Sequence, residues 1–288
     1  MAKFFKSVVM LLSLQCVCMM NAYADNKINV FVSILPQQYF VQQIGLDLVD
    51  VHVLVGPGQN PATYEPTPQQ MAALSRADIY FMIGVPFESA WVDKIRLNNK
   101  KLIIVECCES ISNLDNHDHS HEHNTVYDPH VWTSPIKVIK IADLIKHSFL
   151  ALDENNADKY ESAAKTFINK LQLLDETIKS KTTSLKNRTL IVSHPSWSYF
   201  ADEYGFSQVS IEQEGKEIQA GSMVKLIKFA KERNVKAVFV QPQFNDRAAN
   251  VVANELDANV LKLDPLALNY IENMNKITDN LVKGLSDE

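Results

Sequence analysis

The side chains best able to do chemistry in this 288-residue chain are its eight histidines. Four of them alternate with acidic and small residues in Asn116-His117-Asp118-His119-Ser120-His121-Glu122-His123. A run without apolar residues cannot form a core, and neutral imidazoles beside carboxylates are ligands for transition metals. The segment reads as a loose metal-capturing loop, with a plain solvated loop as the alternative. Three further candidates are His130 in Asp128-Pro129-His130-Val131-Trp132, His194 in Ser193-His194-Pro195, and Asp264 in Leu263-Asp264-Pro265-Leu266. Two imidazoles and a carboxylate suit Zn2+, and also Mn2+ or Fe2+. Spacing alone does not bring the three together, because each is also an ordinary turn residue beside proline. His52, inside a strand pattern, and His147, on a helix, read as structural or solvated.

No Gly-x-Gly-x-x-Gly, Gly-Lys-Ser/Thr, Gly-x-Ser-x-Gly or His-Glu-x-x-His motif occurs. The turn cluster Gly56-Pro57-Gly58-Gln59-Asn60-Pro61 is no phosphate loop. An exported metallohydrolase using the same three ligands stays open as a rival reading, with Glu212 or Glu214 as its general base.

The elements that must position these residues alternate. Ile28 to Ile34, Val49 to Val55, Ile79 to Ile83 and Leu102 to Val105 read as strands. Gln37 to Leu46, Gln69 to Ser75 and Phe87 to Leu97 read as helices between them. The pattern returns with strands at Thr189 to Ser193, Gln208 to Ile211, Ala237 to Gln241 and Val260 to Leu263. Helices are expected there at Tyr199 to Tyr204, Ser222 to Arg233, Ala248 to Leu256 and Ile271 to Leu285. Such alternation predicts an α/β fold with mostly parallel sheets, in two Rossmann-like lobes. His194 and Asp264 each follow one of these strands, where open parallel sheets place ligands. Between the lobes, Tyr160, Ala164, Phe167, Leu171, Leu174 and Ile178 recur at a helical period. They predict one long rigid helix from about Ala157 to Leu185, on the order of 40 Å long, capped by Asn156 or Asp158. The organisation expected is a leader over 1–24, an N-terminal lobe over 25–152 with a His-rich insertion at 116–124, a linking helix over 153–186, and a C-terminal lobe over 187–288.

Hydrophobic residues make up 46% and charged residues 22%, values of a globular chain rather than a disordered one. The net charge of −6 argues against a nucleic-acid partner, since no excess of Lys and Arg is available for phosphates. Lys3 and Lys6, the apolar run Val8 to Met20, and Ala22-Tyr23-Ala24 read as a secretory signal peptide cleaved after Ala24. Its apolar run is shorter than the roughly 20 residues of a membrane span. Lipid attachment at Cys16 or Cys18 is disfavoured by Gln15, where a small residue is wanted. Removing Lys3 and Lys6 takes the net charge from −6 to −8. The remaining cysteines, Cys107 and Cys108, are adjacent, and the ring that would bridge them is strained. They read as small residues ending a strand, with a metal site as the alternative, and the fold must rest on its core.

Taken together and in order, these segments resemble the zinc- and manganese-binding solute-binding proteins of bacterial ABC importers, the ZnuA/TroA-like group. The likeness includes Tyr64-Glu65-Pro66-Thr67-Pro68, Ala77-Asp78, the His-rich insertion, the motifs around His130, His194 and Asp264, and Val240-Gln241-Pro242-Gln243-Phe244. The resemblance implies two α/β lobes bridged by a long helix, with one metal held in the cleft. It implies ligands at His130, His194 and Asp264. The family's fourth ligand, a histidine, falls on Ala62, which has no donor atom. Water, a histidine of the 117–123 segment, or lost affinity are the three consequences open.

The resemblance further implies a periplasmic monomer that captures zinc, with manganese or iron as alternatives. It would deliver the ion to a membrane permease driven by a cytoplasmic ATPase. A metal buffer or surface adhesin is the rival within the same family. A stiff inter-lobe helix implies small tilts on metal binding rather than wide closure, and imidazole ligation implies weaker binding in acid.

Overall fold

In a computed structural model of the protein, residues 27–108, 128–213 and 216–286 are described. The leader 1–24, the histidines of 117–123 and Glu214 lie outside them. Two four-stranded sheets, all parallel, form the frame.

The first sheet comprises β1 (Ile28–Val32), β2 (Val49–Val53), β3 (Ile79–Met82) and β4 (Ile103–Glu106) in the order β2-β1-β3-β4. The helices α1 (Leu35–Gly45), α2 (Pro68–Leu74) and α3 (Pro86–Asn98) connect them. The second sheet has β5 (Thr189–Val192), β6 (Ser207–Ser210), β9 (Ala237–Val240) and β10 (Asn259–Lys262) in the order β10-β9-β5-β6. A two-residue hairpin, β7 (Glu212–Gln213) and β8 (Lys216–Glu217), follows β6. The helices of this lobe are α6 (Ser198–Tyr204), α7 (Ala220–Glu232), α8 (Arg247–Leu256) and α9 (Tyr270–Leu285). Gly205, at φ 71°, lets the chain turn from α6 towards β6, a conformation that a side chain would disfavour. The strands β3, β5 and β9 are buried along their whole length, as parallel strands covered on both faces must be.

Each strand order reverses direction once. In the second sheet the chain runs from β5 to β6 on one side, then returns to β9 on the other. The carboxyl ends of β5 and β9 therefore bound a switch-point crevice, where the two flanking loops diverge. β10 is an edge strand, separated from β5 by β9.

Two helices cross between the sheets. α4 (Pro135–Leu152) starts at Ser134, whose Oγ accepts from Lys137 N at 3.3 Å, with Pro135 in the first turn. α5 (Ala157–Thr182) buries Tyr160, Ala164, Phe167, Leu171, Leu174 and Ile178, the face expected from the period. Its 26 residues span about 39 Å. Asn156 stands at the cap, but its side chain donates to Asp153 Oδ2 at 2.8 Å instead of capping the helix. α5 packs on α1 and α4 and also on α6 and α9. One continuous apolar cluster runs from β1 and β3 through α5 to α9. Trp132 and Tyr270 clasp the two lobes: Trp132 Nε1 donates to Pro265 O, and Tyr270 Oη donates to Trp132 O, both at 2.8 Å.

Among the described residues no helix is long and apolar enough to cross a membrane. Cys107 and Cys108 directly follow β4, both buried and neither in a disulfide among the described residues. Burial pushes the Cys107 thiol far up, which makes it a packing residue rather than a reactive one.

Candidate metal centre

His130 lies in a tight turn between β4 and α4. Asp128 folds back over that turn: its Oδ1 accepts from His130 N at 2.9 Å and from His130 Nδ1 at 2.7 Å. The Ser198 hydroxyl donates to Asp128 Oδ2, and Tyr199 Oη donates to Asp128 O at 3.1 Å. Both donors come from α6, so the C-terminal lobe helps aim a histidine of the N-terminal one. Burial would raise the Asp128 carboxyl, but the hydrogen bonds and charge of His130, with Ser198, outweigh it and hold it below its ordinary value. Burial, with the charge of His194, lowers the His130 imidazole against the raising pull of Asp128. His130 therefore favours the neutral ring that a metal requires.

His194 follows β5, at the switch point. Glu212 N donates to Ser193 O at 3.1 Å, which brings the start of β7 alongside the end of β5. There His194 Nδ1 meets Glu212 Oε2 at 3.1 Å. Phe244 stacks on the imidazole, with centroids 4.1 Å apart and planes 16° from parallel. The two histidines face each other with ring centroids 5.4 Å apart. Because a carboxylate can only accept, each Nδ1 carries the proton. The Nε2 lone pair of each ring is then left for another partner. Both side chains are 16% exposed, enough for an ion to reach them but little for bulk water. They line a cavity of about 880 Å³ with Asn60, Ala62, Gln208 and Gln241, among others.

The sequence candidates thus fall into three groups. His130 and His194 are brought together, and Ala62 lines the same cavity. Asp264 does not line it. Its Oδ1 accepts from Gln243 Nε2 at 2.9 Å and from Leu266 N at 3.0 Å, which commits it to the turn after edge strand β10. Among the described residues no three His, Cys, Asp or Glu side chains are grouped to hold an ion. His117, His119, His121 and His123 lie outside the described residues. His52 stacks on Phe31, and His147 Nδ1 contacts Asp143 O within its own helix, both away from the cavity.

Two contributors were not singled out as partners of the histidines. Asp128 had a signal, its position two residues before His130, where an aspartate commonly bonds the following backbone. Glu212 had none, since 18 residues separate it from His194. Its other oxygen, Oε1, is buried without a hydrogen-bond partner among the described residues.

Comparison with known proteins gives the following. Residues 30–284 match the family described as zinc-uptake complex component A, periplasmic. The chain is 29% identical over 282 residues to the high-affinity zinc uptake system protein ZnuA of Bacillus subtilis (strain 168), covering 90% of this chain and 88% of that protein. It is 27% identical over 278 residues to the zinc-binding lipoprotein AdcA of Streptococcus pneumoniae serotype 4, covering 91% of this chain. It spans 55% of AdcA, about half that relative's length. A crystal structure of ZnuA matches with a TM-score of 0.84 at 36% identity, over 91% of this chain and all of that one.

Proposed function

The chain belongs to the family of periplasmic zinc-uptake complex component A proteins, and from that premise we propose that it captures zinc outside the cytoplasm for an ABC importer. The cargo would sit between the lobes, on Nε2 of His130 and Nε2 of His194, and pass to a membrane permease driven by a cytoplasmic ATPase. The protein binds and releases; it is not an enzyme. The observation that carries the reading is the facing pair of imidazoles, each tied at Nδ1 to a carboxylate from behind. That arrangement fixes the tautomer and ring orientation of a metal-ligating histidine.

Two nitrogens from imidazole suit zinc better than manganese, which prefers oxygen. Asp264 enters this reading as a third donor through Oδ2, its Oδ1 being held in the turn, only if the segment after β10 shifts towards the cavity. The 117–123 histidines would gather zinc for delivery to the site.

The test is a competitive titration of the metal-stripped protein with zinc and with manganese. His194→Ala and His130→Ala should each weaken zinc binding by about 100-fold or more, because each 1.4 kcal/mol lost is tenfold. Asp264→Ala distinguishes a ligand, with a similar loss, from a turn residue with little effect. Zinc binding indifferent to both histidines would sink the reading and leave the 117–123 segment as the metal binder.

A further inference from the structure

We infer that the cleft takes zinc together with a small bidentate chelator of the amino-acid type, rather than as a bare ion. The inference rests on the zinc-capture reading above and concerns the same site. It starts from a count of donors. Zinc held by protein is normally four-coordinate. His130 and His194 supply two nitrogens, Ala62 supplies nothing, and Asp264 does not line the cavity. Two positions therefore face the cavity without a donor among the described residues.

The space is out of proportion to an ion. Two waters completing the shell would take about 30 Å³ each. The cavity measures about 880 Å³, within the range of about 300–1,000 Å³ typical of sites for organic ligands. Its polar lining is also of the kind that reads a carboxylate. Gln241 Oε1 accepts from Ser196 Oγ at 2.9 Å, Gln208 Oε1 accepts from Trp197 N at 2.7 Å, and Asn60 Oδ1 accepts from Ala62 N at 2.8 Å. With each side-chain carbonyl so engaged, the amide N–H groups are what these residues can offer a ligand. Asn60 comes from the N-terminal lobe and the two glutamines from the other.

Charge selects the class of chelator. The carboxylates of Asp128 and Glu212 balance the two charges of the ion while the imidazoles are neutral. A polyanionic chelator would leave the cleft strongly negative; an α-amino acid adds only a single charge. Its amine, giving up a proton to solvent, and one carboxylate oxygen would fill the two open positions. The second carboxylate oxygen would meet the amides. Phe244, only partly buried in the lining, provides an apolar surface for a side chain such as imidazole.

The test is equilibrium dialysis of metal-stripped protein lacking residues 117–123 against radiolabelled L-histidine, with and without zinc. The inference expects one histidine retained per zinc, none without zinc, and none with His194→Ala. Ala62→His, a change at an exposed loop position, should keep zinc and lower histidine retention at least about tenfold, since its imidazole takes a chelator position. Zinc retained at one equivalent without histidine would overturn the inference and leave zinc capture standing. Retention of neither would overturn both.

Discussion

His130 and His194 reach a common space because each is held from behind. A histidine without such a partner would share its proton between both nitrogens and rotate. Glu212→Ala removes the restraint on His194 without touching the ion's own shell. Zinc affinity in a competition titration should fall about 10- to 100-fold, the usual effect of losing such a partner; an unchanged affinity would remove Glu212 from the account. Glu88 is a second residue with a distinct role. It is buried beneath the β3–α3 loop, accepting from Ile83 N at 2.9 Å, from Gly84 N at 2.7 Å and from the Ser33 hydroxyl. Val85 of that loop and Pro86, the first residue of α3, line the cleft. Burial, helped by the charge of Glu106, pushes the Glu88 carboxyl from 4.5 up to about 7 against the pull of those donors. Tyr80 and Cys107 also face it and keep their protons, because burial raises both. A raised acid favours the folded state most below its ordinary value, and the benefit is lost as pH climbs through the folded one. Stability should therefore drop by on the order of 3 kcal/mol between about pH 4.5 and pH 8 through this group. Urea midpoints of the wild type and Glu88→Gln, compared across that range, should show a steeper fall in the wild type. Parallel curves would mean that Glu88 does not titrate there.

At the scale of elements, α5 is the piece on which the lobes are mounted. Leu171 is fully buried on its inner face, and Leu173, two residues on, is 64% exposed. Leu171→Ala should cost about 2–5 kcal/mol and Leu173→Ala less than about 0.5 kcal/mol in denaturant unfolding. Similar costs would mean that the helix is not seated as described. This face was legible in the sequence because six apolar residues at helical spacing leave one solution. The strands were legible for a related reason, since runs of Ile and Val bounded by turns fit a parallel sheet covered on both sides. The helix α4 was recognised only around His147 and not bounded. Ser134 and Pro135 announce its start, and Val138, Ile141, Ile145 and Phe149 mark its buried face. Those residues lie close to the Asp-Pro-His turn, which reads first as a loop. The site was legible in part. His130 and His194 stand out by their motifs, whereas the pairing of His194 with Glu212 depends on β5 lying beside β6, a long-range fact that spacing does not carry. Asp264 follows a strand just as His194 does, but strand order puts β10 at the sheet edge and β5 at the switch point.

For the whole molecule, the cleft is a junction between lobes that share one core. Phe40 of α1 packs edge-on against Tyr270 of α9 at 4.9 Å, and Trp132 bonds to Pro265 across the junction. Ser198 and Tyr199 fix Asp128, and so His130, from the opposite lobe. A frame tied at so many points favours small adjustments around an ion over wide closure. The central claim is that a single zinc joins a histidine from each lobe. X-ray absorption at the zinc edge measures it most directly, on protein lacking residues 117–123 and loaded with one equivalent of zinc. Two imidazoles per zinc are expected, falling to one in His130→Ala and in His194→Ala. A shell without imidazole, or one that neither substitution alters, would contradict the claim.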